Sequence, residues 1–330
     1  MTGGTGMGVE VTWRVDRATW DALVARCPNA TFFHTAAWYE ANRGLGYEPA
    51  AAAIRFDDGA EALLPLAVRP SFKGLWQEAY AGIENGYGGL VSPARLSPEQ
   101  VEAAYRAVRR RYPDMRVVGN PFEAYPNWPA SGPLEPDTTL VVPLGDPDAQ
   151  RRRMGATRQK HARRAARSGF ELAIQTGLTA DDAGRFFPLY AAHSARWGYG
   201  KWARDAGYFR EVCRAAGDQL VLVTAHHGGR AVGFRLLGLT GPVVMDLFLA
   251  TDREYDDRHV GTFLAEAAMA WSREAGHTAF DLQPSGRLEG VRAYKASLGA
   301  MELPHGHMVL RGVAGRSLDT LWRLARPGAA

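Results

Sequence analysis

Residues 263–282 read FLAEAAMAWSREAGHTAFDL, and this stretch decides the fold. Its first part completes a long helix that we predict over Asp256–Ala275. Gly276 ends that helix, because glycine readily adopts the left-handed conformation in which many helices terminate. The residues that follow, Thr278–Leu282, predict a short buried strand. The stretch therefore predicts a helix that returns the chain to a sheet.

Outward from this stretch, further strands and helices are predicted on both sides. Two strands joined by His227-Gly228-Gly229 form a hairpin, and a third strand follows Gly241-Pro242. The predicted strands before the stretch are Gln219–His226, Arg230–Leu239 and Val243–Ala250. The predicted elements after it are the helix Glu289–Leu298, the strand Met301–Leu310 and the helix Ser317–Leu324.

The first half of the chain repeats this order of elements, although not the residues themselves. A hairpin turns at Asp57-Asp58-Gly59, and an amphipathic helix and a buried strand follow it. A hairpin followed by a helix and a strand predicts, in each half, a mixed sheet flanked by helices, an α/β (α+β) fold. The predicted elements are the helices Thr35–Gly44 and Ser97–Arg111, and the strands Ala50–Phe56, Ala60–Val68, Gly88–Ser92, Met115–Gly119 and Thr138–Val142.

Length and composition fit two globular domains. The chain has 330 residues, of which 46% are hydrophobic and 22% charged, so it holds enough apolar material for two cores. We predict a disordered N-terminus over residues 1–8, a first domain over 9–145, a basic connecting helix over 146–169 and a second domain over 170–330.

Several classes of site are absent from the sequence. Cys27 and Cys213 stand far apart, which indicates free thiols in a reducing compartment. We find no Walker-type loop, Rossmann fingerprint, nucleophile elbow or Cys/His zinc spacing, so we predict no metal site and no tightly bound cofactor. No apolar run approaches the ~18 residues of a membrane span, and no signal peptide opens the sequence. We therefore expect a cytoplasmic protein without integral membrane contact.

The most unusual segment is a run of basic residues near the middle of the chain. On a helix, Lys160, Arg164 and Arg167 form one stripe, where like charges repel each other. An anionic partner such as a tRNA backbone would relieve that repulsion by counterion release. The alternative is a solvated helix face whose charge is partly paired with carboxylates from elsewhere. The segment contains no acidic residue, and its basic residues are Arg151, Arg152, Arg153, Arg158, Lys160, Arg163, Arg164 and Arg167.

Several motifs, taken together, resemble the Fem-type peptidyltransferases, which are GNAT-fold acyltransferases. The resemblance extends from about Trp20 to Met308 and implies two tandem GNAT-like domains, aminoacyl-tRNA as the acyl donor and amide-bond formation as the reaction. The motifs are the run Phe263-Leu264-(x)6-Trp271-(x)4-Gly276-(x)3-Phe280-Asp281-Leu282, Tyr294-Lys295-(x)3-Gly299-Ala300, His193-(x)2-Arg196, the basic helix before Ser168-Gly169, and Phe33-His34-Thr35-(x)2-Trp38.

The chain departs from the resembling family in one respect. Members that build peptidoglycan cross-bridges often carry a long coiled-coil arm in the second domain. No heptad run of that kind occurs here, so we predict no arm. This difference favours a small molecule or short peptide as the amine acceptor over a cell-wall precursor.

Lys295 is the first catalytic candidate. In the resembling family the matching lysine contacts the donor or stabilises the developing oxyanion. Aminolysis of an ester passes through such an oxyanion, which a fixed cation stabilises more than it stabilises the neutral carbonyl. The alternative is a lysine that interacts with the C-terminal dipole of its helix. We expect the neighbouring Tyr294 to contribute to the donor site.

Two carboxylates are candidates for the base that accepts the amine proton. Asp281 lies at the end of the predicted strand Thr278–Leu282, where it would orient the amine or accept its proton. Alternatively, it forms an ion pair with Arg287 or Arg292. Asp246 lies inside an apolar strand, where a carboxylate needs a partner or a cavity, and it is the second candidate.

Acceptor-binding candidates occur in both halves. In the second half, His193, Arg196, Trp197 and Tyr199 lie in or just after a helix predicted over Asp182–Trp197, where the aromatic rings would either stack on a ligand or pack as a corner between domains. In the first half, a glycine-rich loop and nearby cations would bind an anionic acceptor group, unless the loop is only a surface connection. The first-half candidates are Trp38, Arg69, Lys73 and Tyr87.

The sequence leaves three functions open. The first is aminoacyl-tRNA-dependent transfer onto an amine. The second is acyl-CoA-dependent N-acyltransfer, for which Arg258-His259-Val260-Gly261-Thr262-Phe263 supplies half of the RxxGxG/A pyrophosphate motif of GNAT enzymes but has Phe263 where a small residue belongs. The third is a non-catalytic RNA-binding protein, which the coexistence of Lys295, Asp281 and Asp246 disfavours.

Overall fold

The structure is a computed structural model in which the chain forms two compact units. One comprises residues up to Tyr39, Leu45–Asp137 and the residues from His305 onward; the other comprises Glu40–Gly44 and Thr138–Pro304. The residues that the structure describes are 7–71, 76–123, 128–129, 134–200, 203–286 and 288–313.

Strands and helices alternate along most of the described chain. The strands are β1 (Val9–Thr12), β2 (Glu48–Phe56), β3 (Glu61–Ser71), β4 (Trp76–Ala81), β5 (Met115–Val118), β6 (Leu134–Pro143), β7 (Glu171–Thr176), β8 (Leu220–His227), β9 (Arg230–Thr240), β10 (Val243–Thr251), β11 (Ala279–Pro284) and β12 (Met301–Leu310). The helices are α1 (Arg17–Ala25), α2 (Ala36–Ala41), α3 (Pro98–Arg109), α4 (Pro147–Arg153), α5 (Ala156–Ala166), α6 (Ala183–Arg196), α7 (Ala206–Ala216), α8 (Val260–Glu274) and α9 (Glu289–Ser297).

The first unit is a mixed sheet covered by helices. Antiparallel pairing runs from β1 through β2 and β3 to β4, and β4 pairs in parallel with β5. The parallel pair is connected by α3, which Ser97 caps by accepting a hydrogen bond from the backbone N–H of Gln100. Its apolar face, which includes Val101, Tyr105 and Val108, is buried against the sheet as the periodicity predicted.

The second unit repeats this plan. Its strands follow the order β6-β11-β10-β9-β8-β7, in which β10 and β11 are parallel and the other pairs are antiparallel. The helix α8 connects β10 to β11 and buries Leu264, Ala268 and Met269 against the sheet. The mixed α/β fold predicted from the sequence is therefore confirmed. The longest described helix, α8, has 15 residues, and no coiled-coil arm occurs among the described residues.

The structure differs from the predicted elements in several places. Gly88–Ser92 is not a strand, and only a single bridge joins Val91 to Leu63. The basic segment over 146–169 forms two helices, α4 and α5, because the chain becomes extended at Met154. The sequence prediction omitted β1, α1, β4, β7 and α7, and the predicted helix Ser317–Leu324 lies outside the described residues.

The units also differ from the predicted domain limits. The residues from His305 onward were predicted in the second domain, but they belong to the first unit because the end of β12 pairs with β5. In that pairing, His307 lies opposite Val118 and Leu310 lies opposite Met115. Of the expected disordered N-terminus, residues 1–6 lie outside the described residues. A search of the described helices finds none that combines the length and apolarity needed to cross a bilayer.

Candidate active site

The candidate site lies in the second unit, where two parallel strands separate. Residues 243–245 of β10 pair with residues 279–281 of β11, and the pairing stops there. The register between β10 and β9 shifts between Asp246 and Phe248, so Leu247 is the extra residue of a bulge. The separation and the bulge leave backbone groups of β10 without a strand partner on the side of β11.

Gln283 holds the two strands in this separated arrangement. Its backbone has a positive φ of 64°, which is uncommon for a residue other than glycine. Its side-chain amide donates to the backbone oxygen of Asp246 over 2.8 Å, and its backbone N–H donates to Oδ1 of Asp281, also over 2.8 Å. The conformation of Gln283 thus connects β11 to the bulge of β10.

Lys295 projects from α9 to the same place. Its Nζ donates to the backbone oxygens of Gln283 over 2.8 Å and of Pro284 over 3.0 Å. An ammonium group has three N–H donors, and among the described residues only these two oxygens accept from it, so one N–H is left for a ligand. Burial lowers the pKa of Lys295 to about 8, against the opposing effect of the negative charges of Asp246 and Asp281. Lys295 is therefore a fixed donor that titrates close to neutral pH.

Asp246 forms a buried ion pair with Arg235. Its Oδ2 accepts from Nη1 of Arg235, whereas its Oδ1 is buried and accepts no hydrogen bond from any described residue. Burial raises the pKa of Asp246, and the guanidinium of Arg235 opposes that rise. A carboxylate oxygen that is buried without a donor is the feature expected of a group that awaits a ligand. This arrangement is consistent with the prediction that Asp246 is a candidate base.

Asp281 is fully buried. Its Oδ1 accepts from the hydroxyl of Thr139 over 2.7 Å and from the backbone N–H of Gln283 over 2.8 Å. Because Oδ1 of Asp281 already accepts these two hydrogen bonds, whereas Oδ1 of Asp246 accepts none from the described residues, Asp281 is the less suitable proton acceptor. The sequence interpretation of Asp281 as a base is therefore revised to one in which it fixes the turn that carries Gln283.

Tyr294 connects Lys295 to the start of α8. Its hydroxyl donates to the backbone oxygen of Gly261 over 3.1 Å and accepts from Nη2 of Arg235 over 3.3 Å. The guanidinium of Arg158 lies 4.7 Å from the centre of its ring, at the distance of a cation–π contact. Tyr294 thus belongs to the network that positions the buried ion pair.

The side chain of Arg158 points into the protein, whereas the side chains of the predicted stripe, Lys160, Arg164 and Arg167, are exposed. Its Nη1 donates to the hydroxyl of Thr262 over 2.7 Å, and its Nε donates to the hydroxyl of Ser297 over 2.9 Å. One turn later, the ring of His161 stacks on that of His259, with 3.8 Å between the ring centres. These contacts fix α5 against the N-terminal turn of α8.

The other basic residues of α5 are solvent-exposed. In the described ranges, no carboxylate lies within ion-pairing distance of them. Burial lowers the pKa of His161 and of His259, and the positive charges of Arg158 and Arg164 lower both further. The lowered pKa values of the two histidines indicate a positive electrostatic potential at the first turn of α8. The exposed residues are Lys160, Arg163, Arg164 and Arg167.

A second cluster lies at the end of β10. The Nδ1 of His193 accepts from the backbone N–H of Thr251 over 3.2 Å, and Arg196 pairs with Asp256 over 2.9 Å. The neighbouring aromatic rings are accessible, since Trp197 is 62% exposed and Tyr199 is 38% exposed. The structure thus brings together the four acceptor candidates of the second half.

The acceptor candidates of the first half have different environments. Trp38 and Tyr87 are buried, and both rings pack edge-on against Phe33. Their burial gives them a packing role and leaves no surface for an acceptor, contrary to the sequence prediction. Arg69 places its guanidinium 5.5 Å from the centre of the ring of Tyr47, and Lys73 lies outside the described residues.

Comparison with known proteins identifies the kind of domain that contains this geometry. Residues 151–296, which contain the candidate site, match the family model described as "Acetyltransferase (GNAT) domain". The crystal structure of FemX superposes with a TM-score of 0.75 at 14% sequence identity, covering 94% of this chain and 99% of that one. Residues 151–296 therefore form an acyltransferase domain of the GNAT type, and the chain shares the fold of FemX.

Two further structures share the fold of this acyltransferase. One is the C-terminal domain (DUF2156) of a putative lysylphosphatidylglycerol synthetase from Agrobacterium fabrum, with a TM-score of 0.57, 15% identity and coverage of 92% of this chain and 94% of that one. The other is a conserved protein of unknown function from Bacteroides thetaiotaomicron, with a TM-score of 0.57, 14% identity and coverage of 92% and 100%. No curated protein matches the sequence significantly.

The sequence analysis missed two residues that lie beside the candidate site, Arg235 and Gln283. Arg235 lies in the middle of an apolar strand, as Asp246 does, and a lone charge in each of two adjacent apolar strands is a signal for a buried pair. Gln283 gave no such signal, because its positive φ and its bond to Asp246 depend on the separation of β10 and β11.

Proposed function

We propose that this acyltransferase moves an aminoacyl group from aminoacyl-tRNA onto an amine of a small molecule or short peptide, in the cytoplasm. The observation that supports this proposal is the fixation of α5 against the first turn of α8. Arg158 and His161 attach the helix, so that its exposed cations lie beside a helix N-terminus of the same unit. A nucleic-acid donor needs such a phosphate-binding surface next to its reactive end.

The reaction needs one bond to form and one to break. The acceptor nitrogen attacks the carbonyl carbon of the aminoacyl ester, and the carbon–oxygen bond to the tRNA ribose then breaks. The available N–H of Lys295 would stabilise the tetrahedral oxyanion and supply the proton that the departing ribose oxygen takes up. The amine loses one proton, which the unpartnered Oδ1 of Asp246 would accept.

The acceptor would be bound near the end of β10. Trp197 and Tyr199 offer accessible aromatic faces there, and Arg196 offers a cation held by Asp256. Aromatic faces together with a guanidinium suit an acceptor that has both an apolar or planar part and an anionic group.

The test compares two donors on one preparation. The protein is incubated with a labelled aminoacyl-tRNA mixture and candidate amines, and in parallel with acetyl-CoA and the same amines. We expect labelled amide only with the charged tRNA, and we expect it to disappear when the donor is digested with RNase beforehand. Amide formation that persists after RNase digestion would show that the tRNA body is not recognised.

Acyl-CoA-dependent N-acyltransfer is the second candidate, and one observation favours it. Arg258 and Gly261 lie at the start of α8 as half of a pyrophosphate-binding motif requires. However, Phe263, which replaces the small residue of that motif, packs its ring 5.2 Å from that of Phe170. Product formation with acetyl-CoA and no tRNA in the parallel assay would establish this second function.

A further inference from the structure

A cluster of possible metal ligands lies in the first unit, outside residues 151–296 that match the acyltransferase domain. It comprises Asp137 on β6 and the two histidines His305 and His307 on β12. Residues two positions apart in a strand project to the same face, so both imidazoles face the carboxylate. The Nε2 of His307 lies 3.1 Å from Oδ2 of Asp137, and that of His305 lies 3.9 Å from the same oxygen.

His305 is the residue that an ordinary packing role does not explain. Its side chain is fully buried, and neither ring nitrogen has a hydrogen-bond partner among the described residues. A neutral imidazole carries one N–H donor and one lone pair, and burying both without partners is unfavourable. The ring of Tyr87 packs edge-on at 5.4 Å and offers contact but no hydrogen bond to either nitrogen.

The backbone around the cluster allows β6 and β12 to approach closely. Gly306 lies between the two histidines, and a Cβ atom there would be 2.5 Å from the side chain of Leu134 and 3.1 Å from the backbone oxygen of Glu135. A larger residue would force the side chain of Leu134 to move and would crowd the backbone of Glu135, two residues before Asp137. The glycine therefore permits the approach that places the carboxylate beside the imidazoles.

We propose that Asp137, His305 and His307 bind a divalent transition-metal ion, with Zn²⁺ as the best fit. Two imidazoles and one carboxylate are a ligand set that Zn²⁺ favours, whereas Mg²⁺ and Ca²⁺ prefer sites built from oxygen atoms alone. A tetrahedral zinc site places neighbouring ligand atoms about 3.4 Å apart. The 3.1 Å separation fits, the 3.9 Å separation must close by about 0.5 Å, and all three ligand atoms already lie within 4.8 Å of one another, so metal binding would draw the two imidazoles together.

The site would fasten β6 to β12 and leave a fourth coordination position for water. The sequence analysis predicted no metal site, because the cluster follows no zinc-finger spacing and Asp137 lies 170 residues before His307. Binding to the folded state alone would also stabilise the fold, by an amount that grows with the logarithm of the metal concentration above Kd.

The full-length protein, treated with chelator and dialysed, is titrated with Co²⁺ and then with Zn²⁺. We expect one Co²⁺ per chain with the visible absorption of a four-coordinate site, displacement of that Co²⁺ by Zn²⁺, and a rise in melting temperature with either ion. Mg²⁺ should produce none of these changes. The proposal would be overturned if Co²⁺ binding were not saturable, or if bound Co²⁺ showed only the weak visible absorption of a five- or six-coordinate ion.

Variants locate the site. His307→Ala and Asp137→Asn, which change partly exposed residues, should each weaken Co²⁺ binding at least about tenfold, because loss of a direct ligand costs no less than loss of an outer-shell partner. His277→Ala, in the second unit, is the control and should bind Co²⁺ as the unchanged protein does. Circular dichroism confirms that each variant folds. If binding survives both ligand variants and is instead lost in His161→Ala, the ion occupies the stacked histidine pair and the proposal fails.

Discussion

Lys295 combines two properties that rarely occur together in a surface lysine. Its ammonium group is held by two backbone oxygens, so its position does not depend on the substrate. Its partly buried environment lowers its pKa to about 8, so its proton is more easily transferred than that of a free lysine. A donor held in place before the reaction stabilises developing charge without the cost of reorganisation. In the proposed reaction, Lys295 would therefore stabilise the transition state more than the bound donor.

The pH dependence of acyl transfer tests the role of Lys295. Its lowered pKa means that the ammonium form is present below about pH 8 and is lost above it. We expect acyl transfer to fall as pH rises through 8, and Lys295→Met to be slower by about 10²–10³-fold at neutral pH. Rates are measured with one amine across pH 6–10.

Lys295→Arg is the matched control for this prediction, because it keeps the charge at every pH used. The ionisation of the acceptor amine affects both proteins equally. It therefore cancels when the rate of the unchanged protein is divided by the rate of Lys295→Arg at each pH. We expect this ratio to fall above pH 8. A ratio that rises through pH 8 would mean that neutral Lys295 acts as the base.

At the scale of elements, a comparison of two glycines that end helices distinguishes the cost of backbone strain from the cost of a steric clash. Gly276 follows α8 with φ of +88°, and a Cβ atom added there would have no other atom within 4 Å. Gly299 follows α9 with φ of +87°, but a Cβ atom there would lie only 2.9 Å from the backbone oxygen of Gln150. We expect Gly276→Ala to cost about 1 kcal/mol of unfolding free energy and Gly299→Ala to cost clearly more. Urea denaturation measures both, and equal losses would contradict the steric argument.

Elements with strong local signals were predictable from the sequence. The helix α3 carries its own capping box at Ser97, and α8 ends at the predicted Gly276. The strand β4 was missed because its sequence, WQEAYA, contains few β-branched residues. It forms a strand because it pairs with Ala67 of β3 and Met115 of β5, which lie elsewhere in the sequence. The helix α7 was missed although its amphipathic pattern was present in the sequence.

The candidate site was predictable only in part. Lone charges in apolar surroundings are visible in a sequence, which is how Asp246 was found and how Arg235 could have been. Side-chain direction is not visible. Arg158 was predicted among the tRNA-binding basic residues, yet its side chain bonds to Thr262 and Ser297, which lie 104 and 139 residues away. The bonds that fix Asp281 likewise depend on Thr139, 142 residues earlier in the chain.

At the scale of the whole molecule, the positive charge is concentrated in one segment. The chain has 39 Lys and Arg residues and 35 Asp and Glu residues, for a net charge of +4. Eight of the basic residues and none of the acidic ones fall between Arg151 and Arg167, so the rest of the chain carries 31 basic and 35 acidic residues. A polyanion is therefore attracted to this segment and not to the protein in general.

This distribution predicts how tRNA binding depends on salt. Lys160→Glu with Arg164→Glu should weaken tRNA binding and reduce the slope of log K against log salt by about 1 to 2, because two phosphate contacts are lost. Arg210→Glu with Arg214→Glu is the control, since it changes the charge equally at the same spacing on the exposed face of α7. Filter binding across a salt series measures both slopes. If both pairs of substitutions flatten the slope equally, overall charge governs binding and α5 is not the tRNA surface.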